Sequence, residues 1–174
     1  MYIALAAVGS LILLVLLVAA TRSNEFRLER STEMHALPDK IYPLLEDFHQ
    51  WIQWSPWEGL DPDMKRTHSG APKGTGARYA WDGNKKAGAG SMEITDATSP
   101  HRVVINLSFT RPFAAHNTVD FTLTPAGTGT RVVWGMQGTH AFMMKVMGVF
   151  VSMDTLVGKD FEKGLANLTA VAEQ

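Results

Sequence analysis

The strongest constraint on this chain is a series of alternating segments joined by turns, with no crossover helix between them. Val103, Ile105, Leu107 and Phe109 recur at every second position, as do Val119, Phe121 and Leu123, and then Val132, Trp134 and Met136. Upstream, Ala77 to Asp82 puts Tyr79 and Trp81 on one face. Gly90 to Asp96 sets Met92 and Ile94 against Ser91, Glu93 and Thr95. Period two over such lengths predicts strands with one buried face. Asp82-Gly83-Asn84, Ser99-Pro100 and Pro125-Ala126-Gly127-Thr128-Gly129 punctuate them, and turns this short join antiparallel neighbours. Met64 to His68 predicts a weaker strand. Glu25 to Met34 predicts a first one, with Phe26, Leu28 and Arg30 alternating against Arg27, Glu29 and Ser31.

Near the end the period changes. Met153, Val157, Phe161, Leu165, Leu168 and Ala172 recur at three and four spacing, while Asp160, Glu162, Lys163 and Asn167 face away. That predicts a helix from Ser152 to Ala172, about 30 Å long. A shorter helix opens at Leu37-Pro38-Asp39 and uses Ile41, Leu44, Leu45 and Phe48. Pro43 fits inside it only in a first turn. A sheet with one apolar face needs a cover, and the long helix is the element of matching size. The expected class is α+β: a curved antiparallel sheet of about seven strands around a long C-terminal helix, with space between them.

Met1 to Thr21 carries no charged side chain and is about long enough to cross a bilayer as a helix. The expected organisation is a transmembrane anchor over 1–21 and a ligand-binding domain over 25–172. An uncleaved or cleaved signal segment is the alternative, since Val18-Ala19-Ala20 resembles a cleavage site but no basic residue precedes the run. Arg22, Arg27, Arg30 and Lys40 follow it, which predicts a cytoplasmic domain; export after signal cleavage is the other outcome.

Apolar residues make up 45% of the chain and charged ones 19%, a globular balance. Net charge is -1 without a basic face, so no nucleic-acid partner is expected. The absence of cysteine excludes disulfides, thiolate metal sites and cysteine nucleophiles. No GxSxG occurs, and Gly70 to Gly76 lacks phosphate-loop spacing and reads as a turn. His35, His49, His68, His101, His116 and His140 show no ligand spacing, so neither metal nor cofactor is expected. The sequons at Asn106 and Asn167 fall in a strand and a helix and read as chance.

Several motifs lie along this order: Ala36-Leu-Pro-Asp-Lys-Ile41, Glu46-Asp-Phe-His-Gln-Trp-Ile-Gln-Trp-Ser-Pro-Trp-Glu58, Tyr79-Ala-Trp-Asp-Gly-Asn84, Thr130-Arg-Val-Val-Trp134 and Gly158-Lys-Asp-Phe-Glu-Lys-Gly-Leu-Ala-Asn-Leu168. With them the chain resembles the START/Bet v 1-like superfamily of helix-grip proteins, the SRPBCC or polyketide cyclase/dehydrase type, over about residues 25–172. The resemblance implies a cavity between sheet and C-terminal helix that holds lipids, sterols, hormones or polyketide intermediates. It also implies that the tryptophan-rich segment after the first helix packs near the open end of the sheet, with Trp54 at the cavity rim. Tyr79, Trp81, Met92, Phe109, Phe121, Trp134, Val157 and Phe161 complete the expected cavity set. Met143, Met144, Met147 and Met153 crowd the approach to the last helix, as an entrance or as ordinary core, and 142–151 is a candidate for touching a bilayer. The leading expectation is binding of an apolar small molecule or lipid at the membrane. An enzyme of the cyclase, dehydratase or hydrolase kind would need Tyr79 turned inward with a polar partner such as Glu93 or Arg78. A non-catalytic protein-interaction scaffold is the third reading, and a filled core would favour it.

Overall fold

The computed structural model describes residues 2–21, 23–139, 145–146, 148–149 and 152–174, with side chains from residue 9 onward, that of Met153 excepted. The elements are α1 (Tyr2–Thr21), β1 (Glu25–Met34), α2 (Pro38–Glu46), a 3-10 helix (Phe48–Gln53), β2 (Lys65–Gly70), β3 (Ala77–Asp82), β4 (Ala89–Thr98), β5 (Arg102–Arg111), β6 (Ala115–Ala126), β7 (Gly129–Thr139) and α3 (Met153–Ala172). The strands form one antiparallel sheet in the order β1-β7-β6-β5-β4-β3-β2. β1 returns to pair with β7, so the segment carrying α2 and the 3-10 helix must cross from one edge of the sheet to the other. Register shifts between β4 and β5, at Ala89/Gly90 and at Ile94/Asp96, bend the sheet where it curls.

The expected α+β class, the seven-stranded curved antiparallel sheet and the C-terminal helix are all present. Pro43 lies inside α2, beyond its first turn, with its side chain exposed. The helical bond it forfeits therefore falls where the Asp39 carbonyl can turn to water. α1 is a helix of 20 residues. Among the described residues no helix is long and apolar enough to cross a membrane. His140, Met143, Met144, Met147 and the side chain of Met153 lie outside the described residues, as does most of the 142–151 stretch.

The end of α2 explains two of the tryptophans. The last carbonyls of a helix have no partner inside it, and no basic residue stands in the last turn of α2. Trp51 Nε1 donates to the Leu45 carbonyl at 3.2 Å and Trp54 Nε1 to the Leu44 carbonyl at 3.0 Å. Two indoles thus close the helix and carry their rings onto the sheet. Asn167 of α3 then donates to the Trp54 carbonyl at 3.0 Å, which fastens the long helix to the same turn.

α3 buries Phe161, Leu165, Leu168 and Ala172. Ser152 caps its start by accepting from the Thr155 N–H at 3.1 Å. Arg30 of β1 bridges Asp154 and Glu162 on its outer side. Close approach to the sheet depends on Gly164, because a Cβ there would stand 2.6 Å from Cζ3 of Trp134. Gly164→Ala is expected to destabilise the domain by about 1–2 kcal/mol net in urea unfolding, since overpacking outweighs the gain in helix propensity. Gly158→Ala meets mainly the flexible Arg30 guanidinium and is expected to be neutral or mildly stabilising. Equal stability of Gly164→Ala and the parent would show that Trp134 has room to retreat.

Candidate functional site

Between the concave face of the sheet and the first turns of α3 lies a cavity of about 350 Å³. Its walls come from every layer: Phe26 of β1, Trp51 and Trp57 of the tryptophan segment, Tyr79 and Trp81 of β3, Met92 of β4, Leu107 and Phe109 of β5, Val119 of β6, Trp134 and Met136 of β7, and Val157 and Phe161 of α3. Trp81 reaches inward because its directly opposite neighbour on β4 is Gly90, where a Cβ would stand 2.5 Å from the indole. Pro112, Phe113, Ala114 and Thr139 line the cavity and are also exposed, so they mark its opening. Phe113, at 60% exposure, is the most open of the large apolar residues there.

One corner is polar. Glu58 lines the cavity with its side chain 9% exposed. Its Oε1 accepts from the Tyr79 hydroxyl at 2.7 Å and its Oε2 pairs with Arg66 Nε at 2.6 Å. Arg66 also donates to the Glu58 carbonyl at 2.8 Å and to the Met64 carbonyl at 2.9 Å. Burial, and after it the Glu58 carboxylate, push the Tyr79 hydroxyl well above the ordinary phenol range. Tyr79 is therefore a lasting proton donor to Glu58 and a poor base. Among the described residues, the one buried side-chain nitrogen or oxygen lacking a hydrogen-bond partner is Trp134 Nε1. It is closed to solvent and so is not presented to the cavity.

Of the nine residues expected at the cavity, Tyr79, Trp81, Met92, Phe109, Trp134, Val157 and Phe161 line it, whereas Trp54 and Phe121 do not. Trp54, 1% exposed, is packed beneath the cavity against Trp51, Phe121 and Trp134 while its N–H closes α2. The Ser55-Pro56 break brings Trp57 to the wall in its place. Phe121 is capped by Trp51 and Trp54, and Val119, two residues nearer the opening, takes the lining position on β6. Arg78 and Glu93 form an exposed cross-strand pair at 3.1 Å on the outer face, so neither is the inward polar partner of Tyr79. That partner is Glu58, with Arg66 behind it. Arg66 stands opposite Trp81 across the β2–β3 pair and so shares its inward face. The available signal was the alternation of Arg66 and His68 on β2. Glu58 sits in an exit loop, where no period applies. Among the described residues no cluster suits a metal ion.

The model of the family described as polyketide cyclase / dehydrase and lipid transport matches residues 25–173. The chain belongs to that family. Solved structures of like fold include protein CV1439 from Chromobacterium violaceum, 15% identical over 87% of this chain and 99% of that one, with a TM-score of 0.59. The Aha1 dimer from Colwellia psychrerythraea is 15% identical over 85% of this chain and 96% of that one, with a TM-score of 0.61. DynU16, a putative protein in the dynemicin biosynthetic locus, is 15% identical over 88% of this chain and 48% of that one, with a TM-score of 0.57. Identities this low establish the fold alone. No match to this chain is found among curated proteins. The first two neighbours are matched over nearly their whole length, and the buried core here runs from Leu28 to Ala172. The family model, over residues 25–173, thus spans the whole of this buried core.

Beside the polar corner, two histidines join the tryptophan segment to the edge of the sheet. His68 stands opposite Tyr79 in register, with ring centroids 5.0 Å apart, and stacks on His49 at 4.1 Å. Asp47 holds His49 by its ring nitrogen at 2.8 Å. Partial desolvation of a side chain that still reaches solvent, and then the neighbouring His49, keep the His68 pKa below its ordinary value, with a hydrogen bond to the Phe48 backbone, Glu58 and Asp47 limiting the fall. The unfolded chain therefore takes up this proton at a higher pH than the folded one. The stability it contributes is full above about pH 6.5 and is lost as pH falls through the lower folded value. Urea unfolding of residues 23–174 is expected to show stability falling from pH 7 to pH 5 with a slope of less than about one proton. His68→Gln should flatten that slope, and an unchanged slope in the variant would assign the effect elsewhere.

Proposed function

We propose that the domain binds a hydrophobic small molecule in this cavity, as a carrier or sensor. The observation that carries the reading is the cavity itself. Its 350 Å³ falls within the range of small-molecule sites, and aromatic, aliphatic and methionine side chains form most of its wall. Binding would be driven by removal of apolar surface from water, with the Glu58–Tyr79 corner orienting the ligand. A scaffold that acted only through its outer surface would have no use for such a space.

The second reading, an enzyme of the cyclase, dehydratase or hydrolase kind, draws on that same corner, where a buried carboxylate and a phenol converge. Against it, both carboxylate oxygens of Glu58 are already engaged, one by Tyr79 and one by Arg66. The arrangement suits orientation better than proton transfer.

In this reading the domain works at a membrane, anchored by α1. Leu11, Ile12, Leu13, Leu14, Leu16 and Leu17 are all exposed, and residues so closely spaced cover every face of a helix. A helix that is apolar all round is stable in an apolar medium. The tether is short: Thr21 is four residues from Glu25, at most about 14 Å of chain. Glu25 pairs with Thr139 at the cavity opening, so the opening would face the bilayer from close range. Arg27, Arg30 and Lys40 follow the apolar run, which favours a cytoplasmic domain; export after cleavage is the alternative.

Native mass spectrometry of residues 23–174, purified without detergent, is expected to show a bound apolar compound or its uptake from a lipid extract. Ala115→Phe places a ring inside the cavity opposite Phe109. It should reduce that uptake at least about tenfold while the melting temperature moves only a few degrees. Absence of any bound or acquired compound in the parent would reject the binding reading. For the full chain, the expected result is carbonate-resistant membrane sedimentation with Met1 to Ala20 retained in the intact mass. A soluble product lacking those residues would replace the anchor with a cleaved signal.

A further inference from the structure

We infer that the polar end of the ligand is a neutral hydrogen-bond donor, a hydroxyl or its equivalent, and that the cavity disfavours a carboxylate. The inference rests on the binding reading above and concerns which molecules that cavity accepts.

It follows from counting donors and acceptors at the polar corner. Tyr79 spends its one hydroxyl hydrogen on Glu58 Oε1. Arg66 uses its Nε hydrogen on Glu58 Oε2 and one hydrogen of each terminal nitrogen on the carbonyls of Met64 and Glu58, which leaves two of its five N–H groups over. Arg66 is not on the cavity wall. Two neighbouring indoles on the wall are also committed, Trp51 to the Leu45 carbonyl and Trp81 to the Ala87 carbonyl. A carboxylate oxygen has two acceptor positions and a phenol oxygen two. The capacity left over on the Glu58–Tyr79 pair itself is therefore acceptor capacity, while the Ser55 hydroxyl and the Trp57 indole, which also line the cavity, remain as donors elsewhere on its wall. A ligand hydroxyl can donate to the Glu58–Tyr79 pair. An ether or ketone has nothing to give and leaves the corner dry and unpaired, which is penalised. A ligand carboxylate brings a second negative charge beside Glu58 in a low-dielectric space. A cationic amine gains little, because Arg66 already balances Glu58, and its own charge would have to be desolvated.

Three probes of one ring system separate these cases: 2-naphthol donates, 2-methoxynaphthalene only accepts, and 2-naphthoate is anionic. Binding to residues 23–174 is read as quenching of the wall tryptophans at neutral pH. The expected order is 2-naphthol tighter than 2-methoxynaphthalene by about tenfold or more, the range for a hydrogen bond to a charged acceptor, with 2-naphthoate weakest. Glu58→Gln offers one acceptor oxygen in place of two. It should cut the 2-naphthol advantage to less than about threefold while 2-methoxynaphthalene binding stays within about twofold. Equal affinity for 2-naphthol and 2-methoxynaphthalene in the parent would overturn the inference and leave cavity binding intact. So would tightest binding of 2-naphthoate, or an undiminished 2-naphthol advantage in Glu58→Gln. If none of the three binds, the binding reading itself fails. The parent comparison decides the matter even if the variant does not fold.

Discussion

The structure turns on how one short segment ends a helix. α2 lacks any basic side chain to meet its last carbonyls, and the indoles of Trp51 and Trp54 meet them instead. A lysine would have satisfied the same carbonyls and left its charge in water. An indole satisfies them while burying a large ring, so the cap and the core become a single feature. Trp54 packs edge to face on Phe121 and Trp134, and Trp134 in turn stacks on Phe161 of α3 with centroids 4.2 Å apart. The crossing segment, the sheet and the long helix are thereby fixed to one another through four rings.

That choice also decides where the hollow lies. Once Trp51 and Trp54 fill the space over Phe121, the sheet is solid beneath them. Trp57 packs edge to face on Phe161 of α3 with centroids 6.0 Å apart, while the rings of Tyr79 and Trp81, further along the concave face, stack on each other at 6.2 Å. Phe161, Leu165, Leu168 and Ala172 are buried, whereas Val157 is half-buried and Leu156 is exposed. The C-terminal part of α3 is buried in the core, and its first turns roof a space. A packed half can hold the geometry of a cavity, which a uniformly loose core could not.

How far this was legible in the sequence follows the physics of each part. Strand alternation showed which residues face inward, and Tyr79, Trp81, Met92, Phe109 and Trp134 all lie on the face it assigned. Alternation says nothing about depth along a strand. Phe121 has the correct face but sits under the tryptophans, while Val119 on the same face reaches the cavity. Trp54 was expected at the rim because the family resemblance implies that the tryptophan segment packs near the open end of the sheet. Its hydrogen bond to the Leu44 carbonyl is set by the chain path between α2 and the 3-10 helix, which no periodicity encodes. Glu58 is the plainest case. It follows Trp57 in an irregular loop, and only the fold reveals that the loop lays it over Tyr79 with Arg66 behind.

The polar corner also bears on why an apolar cavity keeps a charge at all. A buried ion pair is seldom a net source of stability, since desolvation consumes most of the Coulombic gain. Replacing Glu58 and Arg66 with apolar side chains would be the simpler way to line a greasy pocket. Their retention makes sense where orientation matters. An apolar wall accepts a ring in many poses of nearly equal energy, whereas one fixed acceptor site selects among them. Arg66 lets that acceptor be a carboxylate without leaving an unbalanced charge beside the ligand, and the Tyr79 hydroxyl fixes which way the carboxylate turns. Most of the affinity of such a site would come from the rings and its selectivity from a single group. A change at Glu58 should therefore alter which molecules are chosen more than how strongly apolar ones are held.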